Sequence, residues 1–63
     1  MSDDMMKVVD VAAYLNVSRT QVYILMGRGD LPWVRVGAAR RIRRSDLVAF
    51  CDKNYTPAKG GMK

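Results

Sequence analysis

The feature that most constrains this fold is the brevity of the segment Asn16-Val17-Ser18, which joins two helical patterns. Before it, Val8, Val11, Ala12 and Leu15 recur at i, i+3, i+4 and i+7. That spacing predicts a helix over Val9–Leu15, with Asp10 near its positive N-terminal end and a short extended lead-in over Met6–Val8. After it, Ser18 is a favourable N-cap and Gln21 completes a Ser-x-x-Gln capping box, so the second helix is expected to start at Ser18. Val17 and Val22 have the spacing of a hydrophobic staple. Val22, Leu25 and Met26 make a narrow inward stripe, which leaves Arg19, Thr20, Gln21, Tyr23 and Arg28 on the other sides. Asn16 tolerates the left-handed conformation that ends a helix. Two helices on so short a turn form a helix-turn-helix.

Beyond Arg28 the apolar period shortens. Gly29-Asp30-Leu31-Pro32 is turn chemistry, and Pro32 disfavours helix at Leu31, so the second helix should end before it. Val34 and Val36 alternate with Trp33 and Arg35, and beyond Gly37 the apolar Ile42 stands between Arg41 and Arg43. This pattern predicts a β-hairpin with Gly37 in its loop. Period-two alternation is expected to turn Val34, Val36 and Ile42 toward the helices, with Arg35, Arg41 and Arg43 outward and Arg40 near the tip. Ser45 is expected to cap a third helix with Asp46 in its first turn and Leu47, Phe50 and Cys51 as its buried stripe. The fold class is a small α+β winged helix-turn-helix of three short helices and a two-stranded wing. The expected organisation is a disordered N-terminus over 1–5, one domain over 6–54 and a flexible basic tail over 55–63 that carries Lys59 and Lys63.

A domain of 63 residues buries a modest share of its surface and must rest on apolar packing. The lone Cys51 cannot form an intramolecular disulfide, and without His no zinc site can be assembled, so no metal and no cofactor are expected. Cys51 is most simply a small core residue. No apolar run approaches the roughly 20 residues a membrane span needs, and no signal-peptide pattern is present. The expectation is a cytoplasmic protein of a bacterial cell, associated with the nucleoid and not with a membrane.

The net charge of +5 is unevenly placed. Arg35, Arg40, Arg41, Arg43 and Arg44 lie within ten residues that hold no acid, and elsewhere six basic residues balance six acidic ones. Such a concentration is the electrostatic footprint of a polyanion-binding surface. Arginine in place of lysine favours forked contacts to phosphate. Arg, Thr and Gln in the first turn of a capped helix suit a DNA major groove, where they can reach base edges and phosphates. The DNA-binding residues expected are thus Ser18, Arg19, Thr20, Gln21, Tyr23 and Arg28 on the second helix and Arg35, Arg40, Arg41, Arg43 and Arg44 on the wing. An enzyme is disfavoured: there is no His, and the six carboxylates are spread over termini, caps and turns, with no acid–base pair or nucleophile dyad. RNA binding is disfavoured by the absence of an aromatic stacking pattern.

The segments AAYLNVSRTQVY, GRGDLPWVRVG and RRIRRSDLVAF together resemble the excisionase family of small winged-helix DNA-binding proteins, whose domains are similar to those of MerR regulators. The resemblance runs from about Met6 to Cys51. It implies that the second helix enters the major groove, with Ser18, Arg19, Thr20 and Tyr23 facing the groove or its phosphates, while Arg35, Arg40, Arg41 and Arg43 reach the neighbouring minor groove. It implies further a recombination directionality factor of a phage or mobile element. Such a protein binds tandem sites cooperatively through self-association, bends attachment DNA and assists an integrase in excision. A small AlpA-like transcriptional regulator shares the same motifs. Asn16 stands where the family usually has Gly, and Ile24 where a polar or basic residue is common. An exposed Ile24 would either meet a thymine methyl or, with Trp33 and the tail, contact another copy.

Overall fold

A computed structural model of the chain describes residues 4–57. The elements run β1 (Met5–Lys7), α1 (Val8–Leu15), α2 (Arg19–Arg28), β2 (Val34–Val36), β3 (Ala39–Arg43) and α3 (Arg44–Lys53). None of these helices is long and apolar enough to cross a membrane.

The helix-turn-helix is held by local chemistry. Asn16 adopts φ 60°, and the N–H groups of Asn16 and Val17 donate to the carbonyls of Ala13 (3.2 Å) and Ala12 (2.9 Å), the paired bonds of a Schellman ending. One residue later Ser18 caps α2, its Oγ accepting from the Gln21 N–H at 3.1 Å; this is the half of the capping box that forms. Val22 is fully buried, whereas Val17 of the expected staple stays 40% exposed. At the far end of α2, Gly29 takes φ 84° and repeats the Schellman ending, with Gly29 N–H to Met26 O and Asp30 N–H to Leu25 O. A side chain at Gly29 would meet no neighbour, so the demand for glycine there comes from the backbone alone.

The sheet differs from the expected two-stranded wing in having a third strand, in the order β1-β3-β2. β1 pairs antiparallel with β3 through Met5↔Arg43, Met6↔Ile42 and Lys7↔Arg41. Met5, assigned from sequence to a disordered terminus, is therefore a strand residue, and the ordered domain begins earlier than residue 6. The physical reason is an edge: β3 is longer than β2, and its Ile42 and Arg43 positions have backbone groups that only β1 pairs. Lys7 then leads directly into α1, which starts at Val8 and not Val9. Its backbone N–H donates to Asp10 Oδ2 at 3.3 Å. Residues 58–63, most of the expected tail, lie outside the described residues, and Tyr55–Pro57 belong to no regular element.

The hairpin corrects the expected facing of the wing. Its loop is the two residues Gly37 and Ala38, with Gly37 at φ 62°, the sign that a type II′ turn requires of its first loop position. An even loop sets Val34 opposite Arg41, Arg35 opposite Arg40 and Val36 opposite Ala39. Residues directly opposite share a face, as do residues two apart on a strand. Ile42 and Met6 are buried against the helices, so Arg40 and Arg35 lie on that same inner face. Val34, Val36, Arg41 and Arg43 share the outer face, and Val36 is accordingly 53% exposed instead of inward.

The third helix also begins early, with its N-cap at Arg43 and not at the expected Ser45. β3 passes into α3 without a loop, so Arg43 ends the strand and occupies the N-cap, and Ser45 lies inside the first turn. Arg44 N–H donates to Asp4 O at 2.9 Å, which satisfies an otherwise orphaned helix-start donor. One core joins all three helices and the sheet: Met6, Val8, Val11, Ala12, Val22, Met26, Leu31, Ile42 and Leu47, with Leu15, Leu25, Trp33, Phe50 and Cys51 packed around it. The three expected helical stripes and the placement of Cys51 at the core are as the periodicity indicated.

Candidate nucleic-acid interface

The candidate surface is built where α2 meets the projecting hairpin. Arg19 and Thr20 open α2, both exposed, directly after the Ser18 cap. Tyr23 stands three and four residues further on, so it continues the same side of the helix by one turn. It is 46% exposed. Ile24, likewise exposed, continues the side of Thr20 and Gln21.

From the other direction come the inner-face arginines. The Arg40 guanidinium carbon lies 5.5 Å from the Tyr23 ring centre and 5.1 Å from that of Trp33, while that of Arg35 lies 5.4 Å from the same Trp33 ring. The hairpin thus touches the helix through an alternating file, Tyr23, Arg40, Trp33, Arg35. Two like charges directly opposite on a sheet repel, and Arg35↔Arg40 is such a pair. The negative ring face of Trp33, shared by both guanidinium groups, offsets that repulsion, each contact being worth about 0.5–1 kcal/mol at an exposed site. Rings hold these charges in place without neutralising them. Among the described residues, Arg19, Arg35, Arg40 and Arg41 have no ion-pair partner. Arg41 donates from Nη1 to Arg40 O at 2.9 Å, on the outer face.

Three other expected residues are placed differently. Arg28 lies at the opposite end of α2 from Arg19, about 13 Å along the axis at 1.5 Å per residue, and pairs with Asp30 at 3.0 Å. Arg43 grips Asp46 with two bonds, Nε to Oδ2 at 3.0 Å and Nη2 to Oδ1 at 3.3 Å. Arg44 Nε lies 3.2 Å from Asp4 Oδ2. Arg43 and Arg44 sit where β1, β3 and α3 converge, at the end of β3 away from the hairpin loop. Trp33 was not among the expected binding residues. Its signal was the Trp-x-Arg spacing, which puts ring and guanidinium on one strand face.

A capped helix beside a basic β-hairpin is the geometry of a helix-turn-helix with a wing, and comparison with known proteins agrees. The model of the family described as helix-turn-helix domain matches residues 5–55, from the first residue of β1 to just beyond α3. The chain belongs to this helix-turn-helix domain family. Over 63 aligned residues it is 38% identical to the transcriptional repressor DcmR of Methylorubrum extorquens, an alignment that takes in 92% of this chain and 24% of the repressor. It therefore spans about a quarter of that relative's length. It is 35% identical over 54 residues to MT0521 of Mycobacterium tuberculosis, a protein named for DNA binding, with 86% of this chain and 69% of the relative covered. No solved structure matches the chain significantly.

Proposed function

We propose that this helix-turn-helix protein binds duplex DNA at specific sites and regulates transcription there. In this reading the first turns of α2 enter the major groove, where Arg19, Thr20 and Gln21 read base edges and Ser18 and Tyr23 approach phosphates. Arg35, Arg40 and Arg41 follow the adjacent backbone and minor groove. The observation that carries it is the file from Tyr23 to Arg35, which fixes unneutralised wing arginines beside the exposed face of a capped helix. The regulatory role is favoured by the likeness to a transcriptional repressor. A second reading, an excisionase that bends attachment DNA cooperatively with an integrase, is favoured by the three sequence segments that resemble that family.

Selection of bound sequences from random duplexes tests the shared part. A preferred site should emerge, and Arg19→Ala should weaken it by about 1–3 kcal/mol while affecting random DNA less. Equal losses on both would reassign Arg19 to phosphate positioning. A promoter reporter and an excision assay on the emerging site, run in parallel, separate the two roles.

A further inference from the structure

β1 stops at Lys7, opposite Arg41, but β3 continues in the direction of the hairpin loop through Arg40 and Ala39. The strand therefore overhangs its neighbour, and a notch opens at the step. This open cleft, about 290 Å³, is lined by Lys7, Val8, Tyr23, Ala38, Ala39, Arg40 and Arg41. Three of the lining residues are cationic and none is acidic. Lys7 and Arg41 are also cross-strand partners, a like-charge pair that is unfavourable unless an anion lies between or beside them. Unlike Arg43 and Arg44, neither has an ion-pair partner among the described residues. Tyr23 closes the notch on the side of α2 and holds Arg40 at its rim.

We propose that this notch receives a phosphodiester of the DNA backbone, and that Lys7 is a phosphate-contacting residue of the interface. The inference rests on the reading that α2 and the hairpin bind duplex DNA, and it extends that surface to β1. The ligand is anionic, since three of the seven lining residues are cations and none is an acid, and the open cleft has room for a phosphodiester. In this reading a duplex lying across α2 and the hairpin brings a backbone phosphate to the notch at the sheet edge. The contact is with the backbone and so is blind to base sequence.

Binding of the 63-residue chain and of Lys7→Gln and Lys7→Arg to a preferred duplex and a random one, measured from about 50 to 200 mM salt, decides it. Losing one phosphate contact lowers the log–log salt slope by about 0.9, so over this fourfold range the wild type should lose about 3.5 times more affinity than Lys7→Gln. The Gln variant should weaken both duplexes equally, and Lys7→Arg should restore slope and affinity. A folded Lys7→Gln, checked by its melting curve, that matches the wild type in both would overturn the inference while leaving DNA binding by α2 and the hairpin intact. A wild type that binds neither duplex would overturn the functional reading and this inference with it. Inorganic phosphate titrated into labelled protein separates the sources. Shifts at Lys7 and Arg41 only with duplex place the contact on the DNA backbone, and saturation by millimolar phosphate alone would overturn it in favour of a free-anion site.

Discussion

Arg40 and Arg43 stand three residues apart on one strand, and their surroundings could hardly differ more. Arg40, on the inner face near the hairpin loop, is stacked between two aromatic rings and keeps its charge available. Arg43, on the outer face where β3 becomes α3, is clamped by both oxygens of Asp46. Arg35 shares the first situation and Arg44, beside Asp4, the second. Four of the five arginines that read as one patch along the chain thus fall into two groups in space, while Arg41, bonded to the Arg40 carbonyl on the outer face, belongs to neither. Rings orient a guanidinium and leave its field intact, whereas a carboxylate orients it by cancelling that field. Orientation is common to both groups; only the first is suited to a polyanion.

The comparison can be broken most sharply by removing each pair. Arg35→Ala with Arg40→Ala should lower the salt slope of DNA binding by about 1.8, two contacts at roughly 0.9 each. Arg43→Ala with Arg44→Ala should leave the slope near its wild-type value and appear in the melting curve instead. Equal slopes for the two double variants would mean that the arginines act as one undivided field.

A smaller effect is expected from the ring that serves both members of the first pair. Trp33→Leu keeps an apolar side chain against the core but removes the shared π face. Losing two cation–π contacts, about 1–2 kcal/mol together, should weaken DNA binding by roughly five- to thirtyfold at most, with the salt slope unchanged because the charges remain. A reduced slope would show that the guanidinium groups had left the interface altogether.

The smallest change comes from the second group. Asp46→Asn should cost about 0.2–1 kcal/mol of stability, since the partly exposed pair it breaks is screened by solvent. Thermal melting reads that loss as a drop of a few degrees at most. DNA affinity should hold or rise slightly, because Arg43 is released and a negative charge is gone. A fall in affinity would place Asp46 in the interface.

The parts of this fold that were legible in the sequence are those written within four residues of one another. The Ser18 cap, the left-handed Asn16 and the stripes of α1, α2 and α3 each depend on neighbours one turn away. Long-range and parity-dependent features were not. β1 is three residues long, too short for alternation to register, and it forms because a strand 36 positions later offers an unpaired edge. Leu31 read as part of a turn before Pro32, yet its side chain is fully buried, a fact of tertiary packing with no local period. The facing of Val34, Val36 and Arg40 hinged on whether the loop held an even or odd number of residues. Of the candidate surface, the exposed Arg19, Thr20 and Tyr23 and the charge run could be seen in advance. Its partition could be read only in part: Asp46 lies three residues from Arg43, but Asp4 is forty from Arg44.

The central claim, that the ring-held arginines and not the carboxylate-held ones form the wing's DNA surface, is tested most directly by the arginine Nε–Hε signals of labelled protein as short duplex DNA is added. Those of Arg35 and Arg40 should move and saturate together with the backbone amides of Arg19 and Thr20, while those of Arg43 and Arg44 stay near their starting positions. The largest displacements at Arg43 and Arg44, or equal displacement of all five wing arginines, would contradict the account.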